Sequence, residues 1–105
     1  MARKIVWSRS AYRDLGRMVD HIEQDSPYYA ARFTQSVFNA ARSLQDLPER
    51  GRKVPELDPS DYRQLLIGAN YRLIYRVDTR TVRIARLLHV KQNFPDAWKS
   101  DSDPA

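Results

Sequence analysis

The chain has 105 residues, enough for one domain with one hydrophobic core, and its 42% hydrophobic content argues against a wholly disordered protein. Its 18 Lys and Arg against 13 Asp and Glu give a net charge of +5, which alone indicates no more than ordinary solubility. The absence of cysteine excludes disulfides and thiolate metal sites, and two histidines are too few for a convincing zinc or iron centre. We therefore expect a protein without metal or cofactor.

The sequence predicts a cytoplasmic protein with no membrane partner. Its longest apolar run, Leu65–Ala69 with the glycine counted, is far shorter than the ~20 residues that span a bilayer. The first seven residues contain no apolar stretch long enough for a signal peptide.

The first half of the chain predicts one strand and then two helices. The strand is the short apolar run Lys4–Trp7, and a serine at position 8 or 10 can cap the helix that follows. Apolar residues recur at helical spacing over Ala11–Asp25. Ser26 and Pro27 then indicate the start of a second helix, which Pro48 ends. The short break predicts two antiparallel helices that pack on the same sheet.

The second half predicts three strands joined by short turns. Glu49–Asp61 reads as a loop because it contains a glycine and two prolines. The strands are Tyr62–Ile67, Tyr71–Val77 and Thr81–Val90. From Lys91 the chain is polar apart from two aromatic residues.

The element order β-α-α-β-β-β predicts an α+β fold: a small antiparallel sheet covered on one face by an antiparallel helical hairpin. We expect a single domain over residues 1–99 and a frayed polar tail over residues 100–105.

Arginines alternate along the central predicted strand, so this sheet should have one apolar and one basic face. Residues 51–99 hold ten basic against five acidic residues, whereas residues 1–50 hold eight against six. Such a face favours a polyanion or an acidic partner. The apolar face comprises Tyr71, Leu73, Tyr75 and Val77, and the other face comprises Arg72, Ile74 and Arg76.

Four short sequence motifs, taken in their order along the chain, resemble the RelE/ParE superfamily of bacterial toxins. The resemblance covers about residues 5 to 93. The motifs are GRKVPEL (Gly51–Leu57), YRQLLIG (Tyr62–Gly68), YRLIYRVD (Tyr71–Asp78) and LLHV (Leu87–Val90). The segment Asp14–Phe33 is also similar to the helical hairpin of ParE-like members.

The resemblance implies the toxin of a type II toxin–antitoxin pair, held inactive by a cognate antitoxin in a hetero-oligomer. ParE-like members inhibit DNA gyrase and are not known for a hydrolytic reaction of their own. RelE-like members cut messenger RNA on the ribosome.

The RelE-like alternative implies three catalytic candidates. Arg72 matches the arginine that stabilises phosphate in those nucleases, Arg63 occupies a basic position on the preceding strand, and His89 has an acid–base side chain. Differences from the RelE-like nucleases favour the ParE-like interpretation, in which the protein catalyses no reaction. Lys91 is the one basic residue just after the last strand, and Leu65 stands where a second strand lysine would help.

The same residues and the two aromatic residues of the polar tail also allow structural interpretations. Arg72 can form an ion pair with Glu56 or Asp61, and His89 can be structural. Phe94 and Trp98 either pack back on the sheet or contact a partner. A third class, nucleic-acid binding without catalysis, is disfavoured because the basic face carries few stacking aromatics.

An acidic antitoxin segment would lay a helix in a groove or add a strand to the sheet edge. The candidate antitoxin contacts are Arg13 and Arg17 on the first helix and Arg76, Arg83 and Arg86 on the sheet.

Overall fold

The computed structural model describes residues 2–100, so the predicted frayed tail lies outside the described residues apart from Ser100. The predicted order of elements is confirmed, with a two-residue strand, one 3₁₀ turn and a C-terminal helix in addition. The elements are β1 (Lys4–Trp7), α1 (Arg9–Asp25), α2 (Pro27–Ser43), β2 (Arg52–Lys53), the 3₁₀ turn Pro55–Leu57, β3 (Arg63–Ile67), β4 (Tyr71–Val77), β5 (Thr81–His89) and α3 (Phe94–Lys99).

Serine caps begin both long helices, as their sequence signals predicted. The Ser8 hydroxyl accepts a hydrogen bond from the Ala11 amide at 3.0 Å, and the Ser26 hydroxyl accepts one from the Tyr29 amide at 3.2 Å. Ser8 also donates to the Ala85 carbonyl at 2.7 Å, which fixes the start of α1 against β5.

The five strands lie in the order β1-β5-β4-β3-β2. The predicted antiparallel meander of β3, β4 and β5 is confirmed, and β2 extends it. β1 instead pairs with β5 in parallel, from Lys4 opposite Thr81 to Trp7 opposite Ile84, so the sheet is mixed rather than wholly antiparallel. Short turns make β3, β4 and β5 antiparallel to one another. Two helices separate β1 from these strands, so no short turn determines the direction of β1.

A β-bulge interrupts the pairing of β4 with β5. Tyr75 lies opposite Ile84, whereas Ile74 lies opposite Arg86, so Ala85 is the extra residue. The side-chain alternation of β5 therefore shifts by one position beyond the bulge.

The main hydrophobic core lies between the helical hairpin and the sheet. It contains fully buried residues of α1, α2, β4 and β5, and burying one such side chain contributes about 1.5–3 kcal/mol. Its members include Ala11, Leu15, Val37, Leu73, Tyr75, Ile84 and Leu87.

The opposite face of the sheet is not simply basic, because α3 packs against part of it. Ile74 and Leu88 pack there with Phe94 and Ala97 of α3 and with Val54 of the loop after β2. Phe94 and Trp98, whose contacts the sequence left open, thus form a second small core on the sheet.

The buried Tyr75 holds the loop between α2 and β3. Its hydroxyl donates to the Pro48 carbonyl and accepts from the Gly51 amide, both at 2.8 Å, and burial raises the pKa of Tyr75. A Cβ on Gly51 would lie 2.5 Å from the Gln64 carbonyl oxygen and 2.6 Å from the Tyr75 hydroxyl.

We expect Gly51→Ala to lower the free energy of unfolding by about 2 kcal/mol, because backbone atoms must shift to admit the methyl group. Urea denaturation at neutral pH measures the change. Gly16→Ala is the matched control, because nothing lies within 4 Å of its added Cβ. It should stabilise α1 by roughly 0.5–1 kcal/mol, and equal effects of the two variants would contradict the steric explanation.

Candidate functional site

Arg72 is the second residue of β4 and lies on the α3 face, where its guanidinium is bonded to other side chains of the protein. The Nη1 and Nη2 atoms donate to the two carboxylate oxygens of Glu56 at 3.0 and 2.8 Å, and Nε donates to Gln64 Oε1 at 2.7 Å. The guanidinium also lies 4.6 Å from the centre of the Phe94 ring, and 11% of the side chain is exposed. Of the two suggested ion-pair partners, Glu56 is the observed one.

The hydrogen bonds from Arg72 lower the pKa of Glu56 from its ordinary value of 4.5, against an opposing effect of burial. A depressed folded-state pKa stabilises the fold above the unfolded-state value, and this contribution is lost as the pH falls through the folded-state value.

Glu56→Gln should therefore destabilise the protein at pH 7, by up to about 1 kcal/mol because Glu56 is 38% exposed. The difference from wild type should shrink as the pH is lowered below 4.5. Urea denaturation of both proteins at pH 7 and at pH 3 measures this, with the exposed Glu23→Gln as control. An equal difference at both pH values would contradict the role of this ion pair.

His89 lies on the opposite face of the sheet from Arg72. It is directly opposite Tyr71, and directly opposed side chains of paired strands point to the same face. The Tyr71 ring lies 4.6 Å from the ring of Phe33 on α2 and 5.0 Å from the His89 ring, so both strand residues face the hairpin.

Arg63 also points to the hairpin face, because it neighbours Gln64 on β3 and Gln64 bonds Arg72 on the other face. Its Nη1 donates to the Gly51 carbonyl at 2.7 Å. The structure therefore does not bring together the three residues suggested for RNA cleavage, since the sheet separates Arg72 from Arg63 and His89.

Two other candidate residues lie beside each other in a groove between β1 and α3. Arg76 and Arg83 are directly opposite in β4 and β5. Arg83 Nε donates to Asp78 Oδ2 at 2.8 Å, and this bond lowers the pKa of Asp78. The groove has a volume of about 630 Å³ and is also lined by the aromatic residues Tyr62 and Trp98. It combines arginine with aromatic side chains, two residue classes that are enriched in protein–protein interfaces.

Arg86, another candidate antitoxin contact, is buried in the structure. Only 4% of the residue is exposed, because the bulge and α1 enclose it. Its Nε and Nη2 donate to the Asp14 carboxylate at 2.7 and 2.9 Å, and the Leu87 amide donates to the same carboxylate at 3.0 Å. Its Nη1 donates to the carbonyls of Ala97 and Ser100, each at 2.6 Å. Arg86 thereby ties α1, β5 and α3 together.

The remaining candidates, Arg13 and Arg17, are exposed on α1 and are not among the residues that line the groove between β1 and α3. Arg17 Nη2 lies 3.4 Å from Asp14 Oδ1, and Arg13 Nη2 lies 3.4 Å from the Ser10 hydroxyl.

Sequence reasoning missed Asp14, which appeared only as a residue of the hydrophilic face of α1, and it missed α3. Asn93 caps α3 by accepting from the Asp96 amide at 3.1 Å, and Pro95 follows in the first turn. That cap and the spacing of Phe94 and Trp98 were the available signal. Asp14 had no comparable signal, because its partner is 72 residues away in the chain.

Within residues 2–100 no three His, Cys, Asp or Glu residues cluster as metal ligands would. The helices of that same part of the chain are all too short or too polar to cross a membrane.

Comparison with known proteins identifies the family. Residues 5–94 match the model of the ParE toxin of the type II toxin–antitoxin system parDE. The chain belongs to the ParE toxin family. It is a toxin of the RelE/ParE superfamily of type II toxin–antitoxin systems. It is 36% identical over 86 residues to Toxin RelE2 of Caulobacter vibrioides, covering 82% of this chain and 93% of that protein.

Solved structures share the fold of this toxin. A chain from the chromosomal ParDE system of Pseudomonas aeruginosa matches with a TM-score of 0.72 and 24% identity, over 86% of the toxin and 98% of that chain. A chain of the RelBE2 toxin–antitoxin complex of Mycobacterium tuberculosis matches with a TM-score of 0.63 and 25% identity, over 88% and 95%. Relatives with ParE-type and RelE-type names therefore occur together, and the names do not distinguish a gyrase inhibitor from a nuclease.

Proposed function

We propose that this toxin acts in the cytoplasm as a ParE-like inhibitor of DNA gyrase, by binding rather than by catalysis, and that a cognate antitoxin neutralises it in a hetero-oligomer. The observation that supports binding over RNA cleavage is the separation of Arg72 from Arg63 and His89 by the sheet.

RNA cleavage without a metal needs a base, an acid and a cation within reach of one phosphate. On the α3 face, Arg72 supplies a cation, but Glu56, Gln64 and Phe94 already occupy its guanidinium. His89 lies on the hairpin face of the sheet, so a phosphate bound by Arg72 on the α3 face would be out of its reach. Phosphate would have to displace the Glu56 carboxylate from both terminal nitrogens of Arg72.

A RelE-like messenger RNA endonuclease on the ribosome remains the second candidate, and two observations favour it. The 36% identical relative is named Toxin RelE2. The paired Arg72 and Glu56 also place one cation beside one carboxylate, which could accept a proton if the pair opened.

For the antitoxin we propose the groove between β1 and α3. Arg76 and Arg83 supply two adjacent positive charges, and Tyr62 and Trp98 supply aromatic walls that suit an acidic segment with apolar anchors. The structural relatives from the ParDE and RelBE2 systems support an antitoxin partner. Arg13 and Arg17 would extend this contact only if the antitoxin also covers α1.

The test of the proposed activity is a pair of reconstituted assays with purified toxin. In one, DNA gyrase and supercoiled plasmid report double-strand cleavage and loss of supercoiling. In the other, ribosomes programmed with messenger RNA report cleavage. We expect gyrase inhibition with intact message, and activity of His89→Ala within about threefold of wild type. Message cleavage that Arg72→Gln abolishes, with gyrase unaffected, would overturn the proposal and support the nuclease.

A further inference from the structure

Five basic residues lie together at one end of the sheet, where β1 starts, β4 ends and β5 starts. All of them except the half-buried Arg3 are exposed. Backbone contacts fix this arrangement, because the Lys4 amide donates to the Arg80 carbonyl at 2.9 Å and the two strand ends are thereby joined. We call this set the basic end of the sheet. Its members are Arg3, Lys4, Arg76, Arg80 and Arg83.

Three of the exposed cations point to the same face of the sheet. Arg76 of β4 lies directly opposite Arg83 of β5, so their side chains share the α3 face. Val6 of β1 lies beside Arg83, and Lys4 is two residues before Val6, so Lys4 points to this face as well. The cations therefore stand on three adjacent strands, which together span about 10 Å.

Little of this charge is neutralised within the protein. The carboxylate of Asp78, in the turn between β4 and β5, accepts from Arg83 Nε at 2.8 Å. Within residues 2–100, no carboxylate forms an ion pair with Lys4, Arg76 or Arg80. Like charges directly opposite each other in paired strands are destabilising, so the Arg76–Arg83 arrangement costs stability until an anion binds.

The part of the basic end outside the groove suits a phosphate backbone better than a protein segment. Lys4 and Arg80 are not among the residues that line the groove with Tyr62 and Trp98. Lysine is depleted from protein–protein interfaces, whereas lysine, arginine and threonine all contact phosphates. Thr79, in the same turn as Arg80, is exposed. A duplex keeps its bases paired, so binding its backbone needs no stacking aromatic residue.

We propose that the basic end of the sheet binds the phosphate backbone of duplex DNA. A DNA strand carries one phosphate for every ~3.4 Å of helix axis, so roughly three phosphates of one strand pass over the width of β1, β5 and β4. The role of this contact rests on the proposed function, because DNA gyrase holds a duplex that a bound toxin can reach. Arg76 and Arg83 also line the groove proposed for the antitoxin, so DNA and antitoxin would compete for them.

Fluorescence anisotropy of a labelled duplex of about 20 base pairs, titrated with purified toxin, tests the contact without gyrase. The variant Lys4→Gln/Arg76→Gln/Arg83→Gln should bind at least about tenfold more weakly than wild type at about 100 mM salt. Its slope of log K against log salt should be shallower by about 2–3, as expected for three lost phosphate contacts. An unchanged affinity and slope would overturn the proposal.

A matched control removes the same net charge from elsewhere on the surface. Arg32→Gln/Arg42→Gln/Lys53→Gln changes exposed residues of α2 and β2 and should bind within about twofold of wild type. An equal loss in both triple variants would mean general attraction to a basic protein and contradict a site. Arg76→Lys/Arg83→Lys keeps both charges and should bind within about threefold of wild type, and a larger loss would show that charge is not the cause.

Two further arms separate this inference from the proposed function. Single-stranded RNA of the same length should bind more weakly than the duplex, and tighter binding of the RNA would overturn the duplex assignment. In the gyrase assay, the Lys4, Arg76 and Arg83 triple variant should inhibit less than the control triple variant. Equal inhibition by both would overturn the DNA contact and leave gyrase inhibition standing. Duplex binding without any gyrase inhibition by the wild type would support the site and refute the proposed function.

Discussion

Asp14→Ala will lower the free energy of unfolding of this toxin by about 3–5 kcal/mol, because it leaves the Arg86 charge buried without a counterion. The side chains of both partners are 5% exposed. The variant also removes the acceptor of the Leu87 amide, at the edge of β5 beyond the end of β1. A domain of this size has a total stability of roughly 5–15 kcal/mol, so the variant loses a large part of it.

Urea denaturation and the melting temperature measure this loss. The exposed Asp20→Ala on the same helix is the matched control and should stay within about 0.5 kcal/mol of wild type. The double variant Asp14→Ala/Arg86→Met should be more stable than Asp14→Ala, because it no longer buries an unpaired charge. A loss below 1 kcal/mol in Asp14→Ala would show that water reaches Arg86.

The second large effect concerns the antitoxin. Arg76→Glu/Arg83→Glu should weaken antitoxin binding at least about 100-fold, because like charges placed across an interface cost several kcal/mol. The neutral pair Arg76→Gln/Arg83→Gln should lose less affinity. Titration calorimetry or surface plasmon resonance at two salt concentrations measures both, and the wild-type affinity should show the steeper salt dependence.

Arg32→Glu is the matched control, because it reverses one exposed charge on α2, away from the groove. Circular dichroism should confirm that the double variants are folded, since the Arg83–Asp78 pair lies at the surface and surface ion pairs contribute little to stability. If affinity fell equally for Arg32→Glu and for the groove variants, the antitoxin contact would have to lie elsewhere or be spread over the whole basic surface.

The parts of the fold that local signals determine could be predicted from the sequence. Ser8, Ser26 and Pro27 mark helix starts that the structure confirms. The alternation along Tyr71–Val77 assigned each side chain of β4 to the correct face. Periodicity and capping depend on neighbouring residues, so one sequence suffices to read them.

The candidate site could not be predicted in the same way, because it depends on one extra residue in β5. Continuing the pairing of Val77 with Val82 without interruption would put His89 opposite Asn70, on the face of Arg72. The bulge at Ala85 puts His89 opposite Tyr71 instead, on the other face. No residue type in this stretch indicates the bulge. Arg72 and His89, two of the catalytic candidates from the sequence, therefore lie on opposite faces of the folded sheet.

The parallel pairing of β1 with β5 has a consequence for the synthesis of this toxin. The Ser8 hydroxyl and the Ala85 carbonyl that it bonds are 77 residues apart, and no nearer segment offers β1 its partner. The first strand to leave the ribosome must therefore wait unpaired until nearly the whole chain has been translated, and closing so long a loop is entropically costly. A chain whose synthesis stops before β5 therefore lacks the strand that pairs with both β1 and β4, and its five-stranded sheet is incomplete.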